Sequence, residues 1–275
     1  MPELVVASFN VHAGVDGWGR PYDVVGACRA LDADVLVLQE AWTADGGQSQ
    51  AGTVANALGA WVVDVPLATG RLLGPPIGSA RAVRWQPPRR ERRLPALALD
   101  RRALAPKRRD LDPGAQGRTR AHGQWGIAVL CRLPVLASRV VDLGALPLDP
   151  ARRAAVVVDV DVAGVQVPVV ATHLSHLSHG SPVHLRRVRR VLPPSSGPGV
   201  LAGDMNLWGP PLSAALPGWR RAPRGRTWPA WRPLAQLDHI LVTRSVEVLG
   251  AEVVPVGGSD HLPVRARLRV EGAGR

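Results

Sequence analysis

The sequence is poor in cysteine and in long apolar runs, and each scarcity excludes a class of protein. Cys28 and Cys131 stand far apart in apolar surroundings, so they form neither a metal-binding spacing nor a disulfide framework. No apolar run approaches the roughly 20 residues that cross a bilayer, and the first residues lack the basic and apolar segments of a signal peptide. We therefore expect a soluble, cytoplasmic protein with two core cysteines and no transmembrane segment.

Lysine, phenylalanine and tyrosine are almost absent as well. One Phe and one Tyr accompany nine Trp residues, so indole rings supply nearly all of the large aromatic volume. Lys107 is the single lysine among 34 basic residues, and the formal net charge is +12. Such an arginine excess fits bidentate phosphate recognition, whereas GC-rich coding produces the same excess without any function. In either case the positive field favours anionic partners.

What the sequence does contain is the balance of a globular protein, with 46% hydrophobic and 20% charged residues. A chain of 275 residues is within the range in which an α/β fold closes around one core. We expect one domain over residues 1–275, with an Arg- and Pro-rich insertion at about 86–122. Thirteen of the forty residues in 81–120 are Arg or Lys, and this segment is either a solvated insertion or a basic arm that contacts phosphates.

Short apolar runs alternate with helix-like segments along the chain. The pattern predicts strands over 4–10, 34–38, 61–65, 124–131, 135–143, 154–162, 165–172, 200–202, 237–242, 246–256 and 261–270. It predicts helices over 21–31, 48–58 and 182–192. Strands 154–162 and 165–172 form the clearest hairpin, with Ala163-Gly164 at the turn.

Polar side chains follow many of these strands at the point where the apolar run ends. At Gly203-Asp204-Met205-Asn206 the sequence predicts either the polar end of a buried strand, with Asp204 and Asn206 side by side, or a turn. Carboxylates, carboxamides and imidazoles without cysteine suit a hard cation such as Mg²⁺ or Mn²⁺ and the hydrolysis of a phosphate ester. The candidate residues are Asn10, Glu40, His173, Asp204, Asn206, Asp238, Asp260 and His261.

Six short motifs resemble, in their order, those of the endonuclease/exonuclease/phosphatase superfamily. They are Ser-Phe-Asn-Val-His around Asn10, Val-Leu-Gln-Glu ending at Glu40, Ala-Thr-His-Leu around His173, Gly-Asp-Met-Asn at 203–206, Leu-Asp-His-Ile-Leu-Val from 237, and Ser-Asp-His at 259–261. The match runs from residue 4 to about 268. The resemblance implies an α/β (α+β) fold, a four-layer α/β sandwich in which two mostly antiparallel β-sheets pack face to face with helices outside.

The resemblance also implies roles for single residues. Glu40 would be the principal Mg²⁺ ligand, with Asn10 and Asp260 completing the metal and phosphate environment. Asp204 would orient or deprotonate the attacking water, and Asn206 would hold that water or a phosphate oxygen.

Histidines and tryptophans complete the expected site. His261 would be an acid/base or a stabiliser of the transition state, oriented by Asp238, and His173 would donate to a non-bridging oxygen. His176, His179 and His239 are more typical of surface or supporting positions. The candidate substrate-binding residues are His12, Trp208 and Trp228.

The resemblance leaves the substrate and the oligomeric state open. It implies a Mg²⁺-dependent phosphodiesterase or phosphomonoesterase that acts on nucleic acid, a nucleotide or a phospholipid headgroup. The alternative is a non-catalytic member that binds anions or nucleic acid. Several nuclease members place a tyrosine near the scissile phosphate, whereas the only tyrosine here, Tyr22, falls in the first predicted helix. An active site of the abasic-site type is therefore disfavoured.

Overall fold

Two six-stranded β-sheets form the centre of this protein. The computed structural model describes residues 1–17, 19–76, 118–147, 149–177 and 180–271, so most of the expected insertion at 86–122 lies outside the described residues. The strands are β1 (Glu3–Asn10), β2 (Val35–Ala44), β3 (Trp61–Pro76), β4 (Arg118–Cys131), β5 (Val135–Leu146), β6 (Asp149–Val162), β7 (Val165–His173), β8 (Val200–Asp204), β9 (Trp219–Arg221), β10 (Asp238–Thr243), β11 (Val246–Val253) and β12 (Val264–Val270). The helices are α1 (Val24–Ala30), α2 (Gln50–Leu58), α3 (Gly180–Val188) and α4 (Gly209–Ala215), with a 3-10 turn at His12–Gly14.

Each sheet has one parallel strand pair at its centre and antiparallel pairs on either side. Sheet 1 has the order β11-β12-β1-β2-β4-β3, and sheet 2 has the order β5-β6-β7-β8-β10-β9. The parallel pairs are β1–β2 and β7–β8, joined by crossovers that contain α1 and α3. The carboxyl ends of a parallel pair meet at one sheet edge, where ligands commonly bind in α/β sheets.

The central strands, such as β7, β8 and β10, bury both of their faces, which explains their nearly continuous apolar sequences. Between the sheets, β6 contributes Val156, Val158 and Val160 to a central apolar layer. The next residues along the same strand, Ala155 and Val157, face the opposite way and pack under α3 and α4. A third apolar layer lies between sheet 1 and helices α1 and α2. The sandwich therefore has four layers, with the helices outside, as the family resemblance implies.

The helix ends carry the expected capping residues. Asp23 accepts a hydrogen bond from the Gly26 N–H at the start of α1, and Ser49 does the same for the Gly52 N–H of α2. Helix α2 ends at Gly59, whose φ of 62° is a left-handed conformation that glycine adopts without strain.

Several elements differ in length from the predicted ones. Strands β3 and β4 extend well beyond 61–65 and 124–131, and β4 already includes the last residues, 118–122, of the expected insertion. Helix α4 is absent from the prediction because it has only seven residues and begins Gly-Pro-Pro. The prediction that Tyr22 lies in a helix is wrong, because Asp23 caps α1 and Tyr22 precedes it. The predicted β6–β7 hairpin is confirmed, with positive φ at both Ala163 and Gly164.

Two further expectations can be compared with the structure. Cys28 and Cys131 are both buried and unpaired, in the outer and central apolar layers respectively. Within the described part of the chain, no helix is both long and apolar enough to span a membrane.

Candidate active site

Polar residues from both sheets converge at one edge of the sandwich. Strands β1, β7 and β8 end there with Asn10, His173 and Asp204. Strand β10 runs antiparallel to β8 and starts at the same edge, so Asp238 pairs directly with Asp204 in the strand register. The loop before β12 brings Asp260 and His261 to the same place. The predicted polar strand ends are therefore neighbours in space.

Asp204 is the residue that the others surround. Its Oδ2 accepts a hydrogen bond from Asn10 Nδ2 at 3.1 Å, which joins the two sheets. Its Oδ1 accepts from the backbone N–H of Asn206 at 2.8 Å, and Asn206 has a φ of 47°. Both sequence alternatives are therefore realised: a buried strand ends at Asp204, and an Asx turn follows it. Burial, followed by the charge of Asp238, raises the pKa of Asp204 to about 7.

The Asn10 amide is held in one orientation. One atom of the amide group lies 3.1 Å from the backbone nitrogen of His12. That nitrogen can only donate a hydrogen bond, so the amide atom facing it must be the acceptor, Oδ1. Asn10 Nδ2 therefore faces Asp204, and one lone pair of Oδ1 is left for another partner. The Asn206 amide is similarly held, because its Nδ2 donates to the Leu174 carbonyl at 3.0 Å.

His261 and Asp238 form a buried pair. His261 Nδ1 lies 2.8 Å from Asp238 Oδ2, and His261 Nε2 lies 3.9 Å from Asp204 Oδ2. A carboxylate can only accept, so Nδ1 carries a proton and Nε2 faces Asp204. Burial alone would lower the pKa of His261, but the charge and hydrogen bond of Asp238, with Asp260 and Asp204, raise it to about 10. At neutral pH this imidazole is held as a cation.

His173 approaches Asp204 from the other side. Its Nε2 lies 3.7 Å from Asp204 Oδ2, and the side chain is buried. Burial, followed by the Arg153 cation, lowers the pKa of His173 well below the ordinary histidine value, although Glu40 acts in the opposite direction. The two imidazoles beside Asp204 therefore differ in charge at neutral pH, with His173 neutral and His261 cationic.

Glu40 lies on a β-bulge of β2 rather than at a strand end. The register with β4 shifts between Gln39 and Ala41, and Glu40 has a φ of 54°. Leu36, Leu38 and Ala41 all pack in the outer apolar layer. In a regular strand, side chains alternate between the two faces of the sheet, so Ala41 would face the other way from Leu36 and Leu38. The extra residue keeps the half-buried carboxylate out of that layer. The sequence pattern predicted that β2 stops at Glu40, whereas β2 continues to Ala44.

A short loop holds Asp260 next to the end of β1. Ser259 Oγ donates to the Asn10 carbonyl at 2.6 Å, and the Ala230 N–H donates to the Asp260 carbonyl at 2.7 Å. His12 is buried and its Nδ1 lies 3.3 Å from Asp260 Oδ1. His12 thus contacts one of the expected metal-site residues, whereas its expected contact was the substrate.

The two expected substrate-binding tryptophans have different positions. Trp228 is 8% exposed, and its ring centroid lies 6.5 Å from that of His261. Trp208 is 53% exposed and precedes α4, two residues beyond Asn206. Trp228 therefore belongs to the wall of the site, while Trp208 lies on the surface that borders it.

Other histidines have supporting or surface positions. His239 is buried, and its Nε2 lies 2.9 Å from the Leu207 carbonyl, on the loop that follows Asn206. His176 is exposed, and His179 lies outside the described residues.

Three residues that support the site carried no sequence signal. Thr227 Oγ1 accepts from the backbone N–H of Asp238 at 3.2 Å, and Trp125 and Arg153 lie beside His173. Thr227 falls in a Trp- and Pro-rich segment, and Arg153 falls just before the predicted hairpin. Only the three-dimensional contacts identify them.

The donors present suit a hard divalent cation. Glu40 and Asp260 offer carboxylate oxygens and Asn10 offers an oriented amide oxygen, with no sulfur donor among them. Asp204, Asp238 and His261 also form a cluster whose ligand atoms lie within 4.8 Å of one another. Hydrogen bonding already accounts for that cluster, since His261 Nδ1 is bound to Asp238. We therefore assign the metal to the oxygen donors of Glu40, Asn10 and Asp260 as a proposal.

The fold and the site together define a four-layer α/β-sandwich protein with a buried His-Asp pair beside a second carboxylate. The model of the Endonuclease/Exonuclease/phosphatase family matches residues 7–261, and the chain belongs to that family of nucleases and phosphatases. No curated protein matches the chain significantly.

Solved structures share the fold at low sequence identity. An endonuclease/exonuclease/phosphatase from Beutenbergia cavernae DSM 12333 is 22% identical with a TM-score of 0.63, over 99% of this chain and 73% of that chain. The human Nocturnin catalytic domain with a bound sulfate anion is 16% identical with a TM-score of 0.61, over 98% and 94% of the two chains. D. rerio TDP2 complexed with a single-strand DNA product is 14% identical with a TM-score of 0.58, over 98% and 99%.

Proposed function

We propose that this protein is a Mg²⁺-dependent phosphoesterase that hydrolyses a phosphate ester by attack of water. The observation that carries the proposal is the arrangement around Asp204. One buried carboxylate has Asn10 at 3.1 Å, a neutral imidazole at 3.7 Å and a cationic imidazole at 3.9 Å. Membership of a family of nucleases and phosphatases supports the same reaction class.

Asp204 is the proposed base for the attacking water. A general base works best when its pKa is close to the working pH, and burial brings the pKa of Asp204 to about 7. Asn10 and the Asn206 backbone N–H hold the carboxylate in place, so it meets the water in a fixed orientation.

The two imidazoles have different proposed tasks. His261 carries a proton on Nε2 at neutral pH and stabilises the developing negative charge or protonates the leaving oxygen. Asp238 fixes the His261 ring and stabilises its cationic form. Neutral His173 donates a hydrogen bond from Nε2 to a non-bridging phosphate oxygen.

The carboxylates of Glu40 and Asp260 and the amide of Asn10 are the proposed ligands of Mg²⁺, with Mn²⁺ as the alternative. When bound there, the cation neutralises the non-bridging oxygens of the phosphate and so favours attack by water. Without a cation, Glu40 and Asp260 would repel an anionic substrate, and activity therefore needs one.

Nucleic acid is the substrate that we favour. The net charge of +12 suits a polyanion, and Trp228 places an aromatic ring beside His261, where a base next to the scissile phosphate can pack. A fold shared with D. rerio TDP2 in complex with single-strand DNA product supports this choice. A phospholipid headgroup is the alternative substrate.

The experiment is a substrate panel assayed with and without Mg²⁺. Plasmid DNA, single-stranded DNA, RNA, sphingomyelin vesicles, inositol phosphates and a bis(nitrophenyl) phosphate distinguish the substrate classes. We expect EDTA-sensitive cleavage of nucleic acid and of the small diester, with rates at least about 10²-fold lower for His261→Ala and Glu40→Ala. Arg152→Ala, a change on the exposed surface, is the matched control. Unchanged activity in both site variants would show that the assignment is wrong.

A further inference from the structure

A buried ion pair lies directly behind His173. Arg153 and Asp149 are four residues apart in β6, and their side chains are 2% and 1% exposed. Arg153 Nε and Nη2 lie 3.3 and 3.5 Å from the two carboxylate oxygens of Asp149, which is a bidentate contact. Removing two charges from water is unfavourable, and such a pair often stabilises a fold no better than apolar residues would. The neighbouring Arg152 is 70% exposed and pairs with Asp142 on the surface.

The guanidinium of Arg153 also contacts the His173 segment in two ways. Its Nη1 donates to the backbone carbonyl of His173 at 3.4 Å. Its Cζ lies 5.3 Å from the centroid of the Trp125 ring, in the range of a cation–π contact. Trp125 in turn lies 5.7 Å from the His173 ring, at an angle of 52°. Arg153 thus acts on the backbone of His173 directly and on its ring through Trp125.

The His173 ring lacks the usual means of orientation. Functional imidazoles are generally held by a hydrogen bond on the nitrogen that faces away from the reaction, as Asp238 holds His261. Among the described residues, buried His173 Nδ1 has no hydrogen-bond partner. The orientation of Nε2 toward Asp204 must therefore come from the packing of the ring and from its backbone.

We propose that Arg153, held by Asp149, is a positioning residue that fixes the His173 ring through Trp125 and the His173 carbonyl. This inference rests on the proposed function of His173 as a donor to the phosphate. It accounts for the burial of a cation whose described contacts are Asp149, the His173 carbonyl and the Trp125 ring. Arg153 acts through His173 and is not a catalytic residue.

The test compares Arg153→Ala with Arg152→Ala in the full chain. A displaced catalytic group reduces turnover more than binding, so we expect Arg153→Ala to lower kcat about 10²-fold and to change KM less than about threefold. Guanidinium chloride at millimolar concentration should restore part of the lost kcat by entering the vacated site. Arg152→Ala should keep the wild-type kcat and show no response to guanidinium.

A second readout is independent of activity. Long-range ¹H–¹⁵N spectra of the histidine rings, with His173→Gln used for assignment, should show shifted or broadened His173 signals in Arg153→Ala and unchanged signals in Arg152→Ala. If the wild type cleaves no phosphoester, the proposed function fails, while these spectra still decide whether Arg153 positions His173. Should Arg153→Ala not fold, Arg153→Lys and Trp125→Leu replace it, and both should perturb the same signals. Wild-type kcat together with unperturbed His173 signals in the folded variants would overturn the proposal.

Discussion

At the scale of single residues, the site depends on one carboxylate with several partners. Asp204 is contacted by Asn10 and the Asn206 backbone, and both imidazoles lie within 4 Å of its Oδ2. The different charge states of the two histidines follow from their surroundings, since His261 faces Asp238 while His173 is buried near Arg153. Similar side chains therefore acquire different chemistry from their surroundings.

The first prediction concerns the pH dependence of hydrolysis. Asp204 must be ionised to act as a base and its pKa is about 7, so kcat/KM should fall as the pH drops below about 7. His261 must keep its proton and its pKa is about 10, so kcat/KM should fall again above about 10. A pH–rate profile at saturating Mg²⁺ measures both limbs. A profile that is flat from pH 5 to 8 would contradict the role of Asp204.

The second prediction concerns the partner of His261. Asp238 raises the pKa of His261, so Asp238→Asn should move the alkaline limb of the profile to lower pH. The change should also lower kcat by about 10²- to 10⁴-fold, because Asn no longer stabilises the imidazolium that carries the Nε2 proton. Asp32→Asn, which removes an exposed carboxylate, is the control. An unchanged alkaline limb in Asp238→Asn would exclude this pairing as its cause.

At the scale of elements, the strands place functional residues through local strain. Glu40 lies on the β2 bulge at a φ of 54°, and Asn206 follows β8 at a φ of 47°. A residue other than glycine, Asn or Asp in this region is disfavoured by about 1–2 kcal/mol, so the strain falls on Glu40. Persistence of this strain at a site residue fits the tendency of functional sites to retain it.

The third prediction separates strain from chemistry at the bulge. Glu40→Gly should relieve the left-handed strain, whereas Glu40→Ala retains it, and both variants lose the carboxylate. We expect the Gly variant to be more stable than the Ala variant by about 1 kcal/mol, or about 2–4 °C in Tm, and both to show rates at least about 10²-fold lower than the wild type. Thermal unfolding in EDTA measures the difference. An Ala variant as stable as the Gly variant would show that the bulge is unstrained.

The fourth prediction concerns the approach of β7 to β8. Gly203 has a φ of 147°, and a Cβ atom there would lie 1.9 Å from the Thr172 carbonyl oxygen. Gly203→Ala should therefore destabilise the fold by at least about 2 kcal/mol and displace Asp204. Gly250→Ala in β11 is the control, because a Cβ atom there meets nothing within 4 Å. Urea unfolding compares the two variants, and equal stabilities would count against the close approach.

At the scale of the whole molecule, the two sheets depend on one another. The central layer is built from both, for example Val6, Val37 and Val129 of sheet 1 with Val158 and Val169 of sheet 2. Neither sheet can bury its inner face alone, so we propose that the chain folds as one domain.

The fifth prediction tests that proposal. Urea unfolding followed by far-UV circular dichroism and by tryptophan fluorescence should give coincident single transitions, because Trp125 lies in sheet 1 and Trp219 lies in sheet 2. Mg²⁺ should raise the unfolding midpoint of the wild type, since a ligand of the native state stabilises it, and should leave Glu40→Ala unchanged. Two separated transitions would contradict the single domain.

The sequence predicted the polar strand ends better than it predicted the lengths of the elements. Asn10, His173 and Asp204 follow apolar runs, and this local pattern is enough to place them at strand ends. The position of Glu40 could not be predicted in this way, because Glu40 lies on a β-bulge. The bulge goes with the packing of Ala41 in the outer apolar layer, which the local sequence does not show. In the sequence, Asp149 and Arg153 resemble an exposed ion pair. In the fold the pair is buried, and Arg153 packs against Trp125, which is 28 positions away, so the local sequence does not reveal the burial.

Each of the two sheets contributes part of the site. Sheet 1 and its loops supply the proposed metal ligands Asn10, Glu40 and Asp260 and also His261, while sheet 2 supplies His173, Asp204 and Asp238. The Asn10–Asp204 and His261–Asp238 contacts join the two groups. The proton-transfer groups therefore straddle the interface between the sheets, so a small slide of one sheet against the other would switch the chemistry off without unfolding either sheet.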